Sequence, residues 1–418
     1  MFVAAGLLLP VVGGVAAADD GGDSWPQWGG EGRDFRIARM ALAEAWPPEG
    51  PEVIWRRPLG DGNSGIAVVG DRLYTMHRRG GEEVAVALDR SSGETVWEVS
   101  WPQSTWAGFL EQYGRGPHTT PLIVDDRVYV VGIYGLLRCL DRHTGESIWD
   151  KQLWEAFDVD DYDVGPAQLG YSASPLVHDD LLIAVGGGAG SAVLGLDRST
   201  GRTVWRAQDF PPGFSSPVLI DVDGQPQVVV FAADRVAGLD PGSGSLLWEH
   251  PHETPYMVNA ATPVWGEDNL LFVSSAYDTG SRVLRLRQAD GRTSVTEVWS
   301  GRGVEIHHQT AVRVGDVVHA SSGDFGPAFL TGVDVTTGDV VYKMRGFAKA
   351  NLLAVGERLV VLDEDGVLAL FDTGEGEQRL RERARVMETR SWTVPSLVDG
   401  VLYVRDRQEI AALDLRAD

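Results

Sequence analysis

The chain has 418 residues and carries 60 acidic residues against 36 Lys and Arg, a formal net charge of -24. That surplus argues against non-specific nucleic-acid binding, which takes a cationic surface to release counterions, and against simple docking on anionic lipid. A single cysteine, Cys139, excludes an intrachain disulfide and a Cys-based metal centre, and 51 Gly with 14 Trp is the composition of a strand-and-turn protein.

The chain opens on an uncharged stretch, Met1 to Ala18, that ends in Ala16-Ala17-Ala18. An apolar run followed by small residues is the pattern of a secretory leader. Residues 1–18 are therefore expected to be a signal peptide cut before Asp19, and the protein to be periplasmic or secreted. The leader lacks the usual Lys or Arg at its start. No cysteine lies near the cut to carry a lipid anchor, and no later apolar run reaches the roughly 20 residues needed to span a bilayer. Residues 19–51 read as an N-terminal extension and 52–418 as the folded body. The body begins with an isolated strand, Glu52 to Pro58, that carries Trp55.

A strand–turn–strand unit then recurs, with Asp, Gly four later and an aromatic four after that: Asp89-Gly93-Trp97, Asp141-Gly145-Trp149, Asp197-Gly201-Trp205, Asp240-Gly244-Trp248 and Asp334-Gly338-Tyr342. Altered copies carry Asp290 with Trp299, Asp372 with Gly376, and Asp414. Asp accepts hydrogen bonds from the N–H groups just ahead, Gly supplies the positive φ of a tight turn, and the aromatic offers a flat face to a neighbouring sheet. A second hairpin lies upstream of each unit, as in TTPLIVDDRVYVVG, so each repeat makes four antiparallel strands. The Asp-to-Asp spacing of roughly 40–55 residues is that of propeller blades. The last repeat supplies three strands and the Trp55 strand is unpaired, so joining them closes a ring without exposed edges. The expected fold is all-β: an eight-bladed β-propeller of four-stranded antiparallel blades, closed by the N-terminal strand. Seven blades is the alternative, because the Asp372 copy is weak.

The Asp-x-x-Thr-Gly-x-x-x-Trp pattern, complete at Asp141–Trp149 and Asp197–Trp205, resembles the tryptophan-docking motif of pyrroloquinoline-quinone (PQQ) repeat proteins, and the likeness covers about residues 25–415. Ser24 to Asp34, SWPQWGGEGRD, is similar to the opening of many exported members. The resemblance implies a propeller of the quinoprotein alcohol dehydrogenase-like superfamily, similar to the assembly lipoprotein BamB but without its lipidated cysteine. Catalytic members are longer, and many carry adjacent cysteines and a Glu, Asn and Asp set for Ca²⁺; that set has no evident counterpart here. The docking motif glues blade to blade and is silent about chemistry.

Any site must then lie in the loops that converge on one face of the channel. The outer-to-inner strand loops hold Asn63, Ser64, Arg115, His118, Gln168, Tyr171, Phe214, Tyr256, Asn259, His307, His308, Lys349, Asn351, Arg390 and Trp392. The loops between the middle strands hold His77, Arg78, Arg79, Tyr134, Tyr277, Asp278, Asp324, Phe325, Asp363, Asp365, Arg405 and Arg407. Together they suggest a cationic, aromatic funnel that would focus anions; unrelated orientations are the alternative. The expected ligand-binding set is Arg115, His118, Tyr171, Asn259, His307, Lys349, Arg390 and Trp392. No catalytic set and no metal site is assigned. Adjacent His307 and His308 point to opposite faces if their strand is regular, and Asp158, Asp160, Asp161 and Asp163 lack the Gly and Glu of a Ca²⁺-binding loop. The favoured function is a non-catalytic exported scaffold of the bacterial cell envelope, with an envelope protein or an anionic small molecule as partner. The alternative is a periplasmic oxidoreductase or cofactor-binding relative using PQQ with Ca²⁺.

Overall fold

The computed structural model describes residues 23–105, 109–154, 166–266, 268–324, 327–373 and 378–417. The expected leader, the acidic stretch at 158–163, Phe325 and Gly376 lie outside them. Each repeat folds as its residue types dictate. In the second, the Asp141 carboxylate accepts the backbone N–H of His143 and of Thr144, both at 2.9 Å, and the Thr144 hydroxyl at 3.1 Å. At Asp197 the Ser199 and Thr200 hydroxyls, with two backbone donors, hold the carboxyl at about 2, because such bonds favour the charged form.

Eight separate sheets result, each with four antiparallel strands that follow one another in sequence except in the last blade, and one sheet gains a fifth member. Blade 1 comprises β3 (Ala67–Val69), β4 (Arg72–Arg79), β5 (Glu82–Asp89) and β6 (Thr95–Pro102). The innermost strands of blades 2 to 8 begin at Leu122, Leu176, Val218, Val264, Ala311, Asn351 and Ser396. The weak Asp372 copy forms a complete blade 7, so the ring has eight blades. Blade 8 takes its outer strand from the N-terminus: β2 (Val53–Pro58) pairs antiparallel with Glu409–Asp414.

A feature absent from the sequence reading sets the docking geometry. In every blade the outer-strand register slips by one residue just before the docking position. This bulge re-aims the side chain that follows, which is aromatic everywhere but in blade 7, where Glu382 stands. The residue opposite is usually small: Ala87 under Trp97, Cys139 under Trp149, Gly195 under Trp205 and Gly238 under Trp248. The lone cysteine is thus a buried spacer. The outer face of each ring meets the next blade. A Cβ on Gly93, Gly145, Gly201, Gly244 or Gly338 would lie 2.6–2.8 Å from the ring of Trp55, Trp97, Trp149, Trp205 or Trp299. Trp248 has no such glycine ahead of it, because the blade 5 copy is displaced to Asp290. Its indole N–H turns instead to Gln227 of its own blade, at 2.7 Å.

The segment expected to be an extension runs through the channel. Trp25 exchanges backbone hydrogen bonds with Val68 at 2.7 and 2.8 Å, and Ile123 donates to the Pro26 carbonyl at 2.8 Å. Strand β1 (Arg36–Ile37) pairs in parallel with Ala354–Val355 of blade 7 as the fifth member of that sheet. Ala43 donates to the Leu415 carbonyl at 2.8 Å where the segment leaves. Trp25, Phe35, Ile37 and Leu42 are buried in one cluster with Leu353, Leu397 and Leu402. Arg33 locks this plug. Its guanidinium donates to the carbonyls of Ser174 (3.0 Å), Pro175 (2.9 Å) and Pro217 (3.1 Å), and to the Gln27 side chain at 3.0 Å.

Candidate functional site

With the channel plugged, the converging outer-to-inner strand loops enclose a one-ended cup of about 340 Å³. Trp28, on the plug, lies at its base, with its indole N–H donating to Thr262 at 3.0 Å. Rings form the walls. Tyr113 stacks on Trp392 (centroids 6.1 Å, 26°), His308 meets Trp392 edge-on at 4.9 Å, and Tyr256 meets Tyr277 edge-on at 5.0 Å. Leu110, Leu169, Phe214, Val258, Ala260 and Val394 fill the gaps between them.

Three imidazoles supply most of the polarity. The Tyr277 hydroxyl is hydrogen-bonded to His307 Nε2, and His307 Nδ1 lies 2.7 Å from His308 Nδ1. His118 Nδ1 faces the Asn63 amide at 3.3 Å. Burial pushes His118 and His307 down to about 4 and His308 well below the usual value. All three are neutral at physiological pH and can both donate and accept hydrogen bonds. Burial also raises the Tyr277 phenol. Among the described lining residues there is no Asp, Glu, Lys or Arg.

Of the expected ligand-binding residues, the structure brings His118, His307 and Trp392 together on the cup. Arg390 and Lys349 stand at Trp392, with the guanidinium carbon 4.8 Å and the ammonium 5.8 Å from its ring centroid. The other three lie elsewhere. Arg115 is exposed and paired with Glu111. Tyr171 is buried, donates to the Val185 carbonyl at 2.7 Å and packs on Trp154. Asn259 is wholly buried, donates to the carbonyls of Ala232, Ala233 and His252, and accepts the Ser275 hydroxyl. The polar ends of both are turned onto protein partners rather than into the cup. Loop position alone could not separate them from their neighbours.

The funnel of cations contracts for the same reason. Arg405 is fully buried and donates to the carbonyls of Gly60, Gly62 and Met76, while Arg407 pairs with Asp61 at 2.6 Å and Arg79 with Glu98 at 2.7 Å. His307 to Gln309 form a bend rather than a regular strand, so the two His rings share one cavity instead of opposite faces. Among the described residues, no three His, Cys, Asp or Glu side chains are grouped to hold a metal ion. Trp28 and Tyr113 escaped the sequence reading. Paired tryptophans in a Gly-rich stretch were the only signal for Trp28, and Tyr113 sits in the long link between blades 1 and 2.

A tricarboxylate quinone held with Ca²⁺ does not fit these residues. The cup offers no described carboxylate to hold the ion. The guanidinium groups of Arg33 and Arg405 are engaged by backbone carbonyls, and Trp28 occupies the base.

The fold and the cup define a quinoprotein-type eight-bladed propeller whose channel is stoppered by its own N-terminal segment. The chain belongs to the family described as outer membrane protein assembly factor BamB, which matches residues 80–344. It is 27% identical to the BamB of Burkholderia pseudomallei (strain K96243) over 379 residues, 80% of this chain and 91% of that protein. The crystal structure of BamB from Moraxella catarrhalis matches 87% of this chain and 99% of its own, with TM-score 0.59 and 18% identity. Quinohemoprotein alcohol dehydrogenase from Comamonas testosteroni matches 94% of this chain and 81% of its own, with TM-score 0.64 and 13% identity. At those identities the two structures establish the fold alone.

Proposed function

We propose that this protein is an exported, non-catalytic binding or assembly scaffold of the bacterial cell envelope, with the cup face as its docking side. The observation that carries the reading is the nearly end-to-end likeness to a relative named as an outer membrane protein assembly factor. Two features support it. The donor set of the cup does not suit the quinone cofactor of the catalytic relatives, and the uncharged start of the chain reads as a leader. In this view the partner is an envelope protein that approaches the outer-to-inner strand loops.

The test has two arms. The protein expressed with its leader is recovered from the envelope fraction with Asp19 as its first residue, and when immobilised it retains an outer-membrane assembly component saturably from envelope extracts. Calorimetric titration with PQQ and Ca²⁺ gives no saturable heat, and dye-linked alcohol oxidation is absent. An uncut protein in the cytosol refutes export. Saturable PQQ binding with turnover refutes the scaffold reading.

A further inference from the structure

The composition of the cup is more specific than a docking face requires. Flat rings line the walls and base, the polar groups within are neutral, and two cations stand at Trp392. Lys349 makes no ion pair among the described residues. Arg390 has only a long contact with Glu364, at 3.8 Å, and that carboxylate also accepts the Trp392 indole N–H at 3.1 Å.

We propose that the cup is a binding site for a small aromatic monocarboxylate, its ring held between Trp28, Tyr113 and Trp392 and its carboxylate met by Lys349 and Arg390. The proposal goes beyond the scaffold reading and stands whether or not a protein docks on this face.

Four observations converge on that chemistry. Indole and phenol faces and edges receive a planar ring in offset or edge-on contact, which favours an aromatic ligand over a saturated one of the same size. The volume, about 340 Å³, is at the small end for ligand sites, and the plug closes the far end, so the ligand is short. Neutral imidazoles give hydrogen bonds without a charge in the interior, which leaves the ring end uncharged. The ionised groups that bear on His307 and His308 are cationic, Lys349 and Arg390. Asp324 acts on Tyr277, and Asp324 is itself acted on by Lys349, which lowers it, and by Asp278, which raises it. Those carboxylates disfavour an acid group on the Tyr277 side, while Arg390, closest to Trp392, favours it there. Two cations facing neighbouring carboxylates suit one ligand carboxylate rather than three.

Calorimetry with four probes at neutral pH tests this: indole-3-acetate, phenylacetate, cyclohexylacetate and 2-phenylethanol. The two aromatic acids bind, while the saturated acid and the neutral alcohol each bind about tenfold more weakly or worse, a loss of about 1.4 kcal/mol. The double variant Lys349→Gln/Arg390→Gln, its fold checked by near-ultraviolet circular dichroism, removes the preference for phenylacetate over 2-phenylethanol. Trp392→Leu weakens every aromatic probe, with near-ultraviolet circular dichroism of the remaining rings confirming the fold. Failure of both aromatic acids to bind, or equal binding of acid and alcohol to the parent protein, overturns the proposal. Partner retention, measured on the same preparations, reports separately on the scaffold reading.

Discussion

The seam of the ring offers the sharpest test of how the repeat works. Trp55 belongs to the N-terminal strand but lies against Gly93 of blade 1, and its indole donates to the Arg90 carbonyl at 2.9 Å. Trp55 is 9% exposed and contacts Tyr403 with ring centroids 6.3 Å apart. Trp55→Ala should cost about 3–5 kcal/mol, the range for deleting a packed aromatic. Gly93 has φ +71° and no room for a Cβ, which would come 2.6 Å from the Trp55 ring. Gly93→Ala therefore carries two costs, about 1 kcal/mol for the left-handed backbone and about 1–3 kcal/mol for the overlap. Once Trp55 is alanine the overlap vanishes and only the backbone cost remains. The double-mutant cycle, read by urea unfolding with unchanged m-values, should show a coupling of about 1–3 kcal/mol. Additive costs would refute the claim that the ring sits on the bare glycine face.

Other consequences follow from buried groups. Arg33→Met leaves the carbonyls of Ser174, Pro175 and Pro217 without that donor, and relief of the buried cation offsets part of the loss. A net cost of about 2–4 kcal/mol is expected, with faster hydrogen exchange at Phe35–Ile37 and unchanged exchange in blade 5; unaltered protection of the plug would contradict the locking role. His77, His118, His307 and His319, pushed down to about 4, and His252, pushed down to about 3, are neutral in the fold. Unfolded histidines titrate near 6.5, so the unfolded chain binds more protons between those values and stability falls as pH drops from about 6.5 to about 4. Each contributes a slope of about 1.4 kcal/mol per pH unit, opposed within that window by Glu83, whose buried carboxyl is raised above the usual carboxylate value so that the fold holds a proton the unfolded chain has lost. His118→Gln should flatten the slope by one proton in denaturant titrations across pH 4–7. Cys139→Ala should be nearly neutral and Cys139→Leu destabilising by about 1–3 kcal/mol, since the site under Trp149 takes only a small side chain; equal stabilities would remove the spacer role.

The ring was legible because every blade solves the same local problem. An Asp that caps its turn, a Gly that clears space and an aromatic that fills it are neighbours in sequence, so their spacing survives as a pattern. The bulge before each aromatic was not legible, because the aliphatic residue that occupies it (Ile54, Val96, Ile148, Val204, Leu247, Val298 or Val341) also suits a regular strand. Blade 7 was the weakest reading for a related reason. Glu382 holds the docking position there, and the blade is kept by its buried inner strands and by β1 laid along its edge.

The cup was legible only as a set of loops. His118, His307 and Trp392 could be chosen by residue type and position, yet the same criteria chose Tyr171 and Asn259, whose polar atoms turn inward to satisfy carbonyls. What separates the two groups is hydrogen-bond accounting across blades, between residues far apart in sequence. The plug carries this furthest. Trp28 reaches Thr262 across 234 positions, and Arg33 reaches carbonyls 141 to 184 positions away. A ring of repeats leaves a hole on its axis that no repeat can fill, because every blade presents the same kind of inner strand. Closing one end takes a segment outside the repeat, and whatever that segment presents becomes the base of the other end. Here it presents Trp28, so the residues that stopper the channel also set the chemistry of the cup.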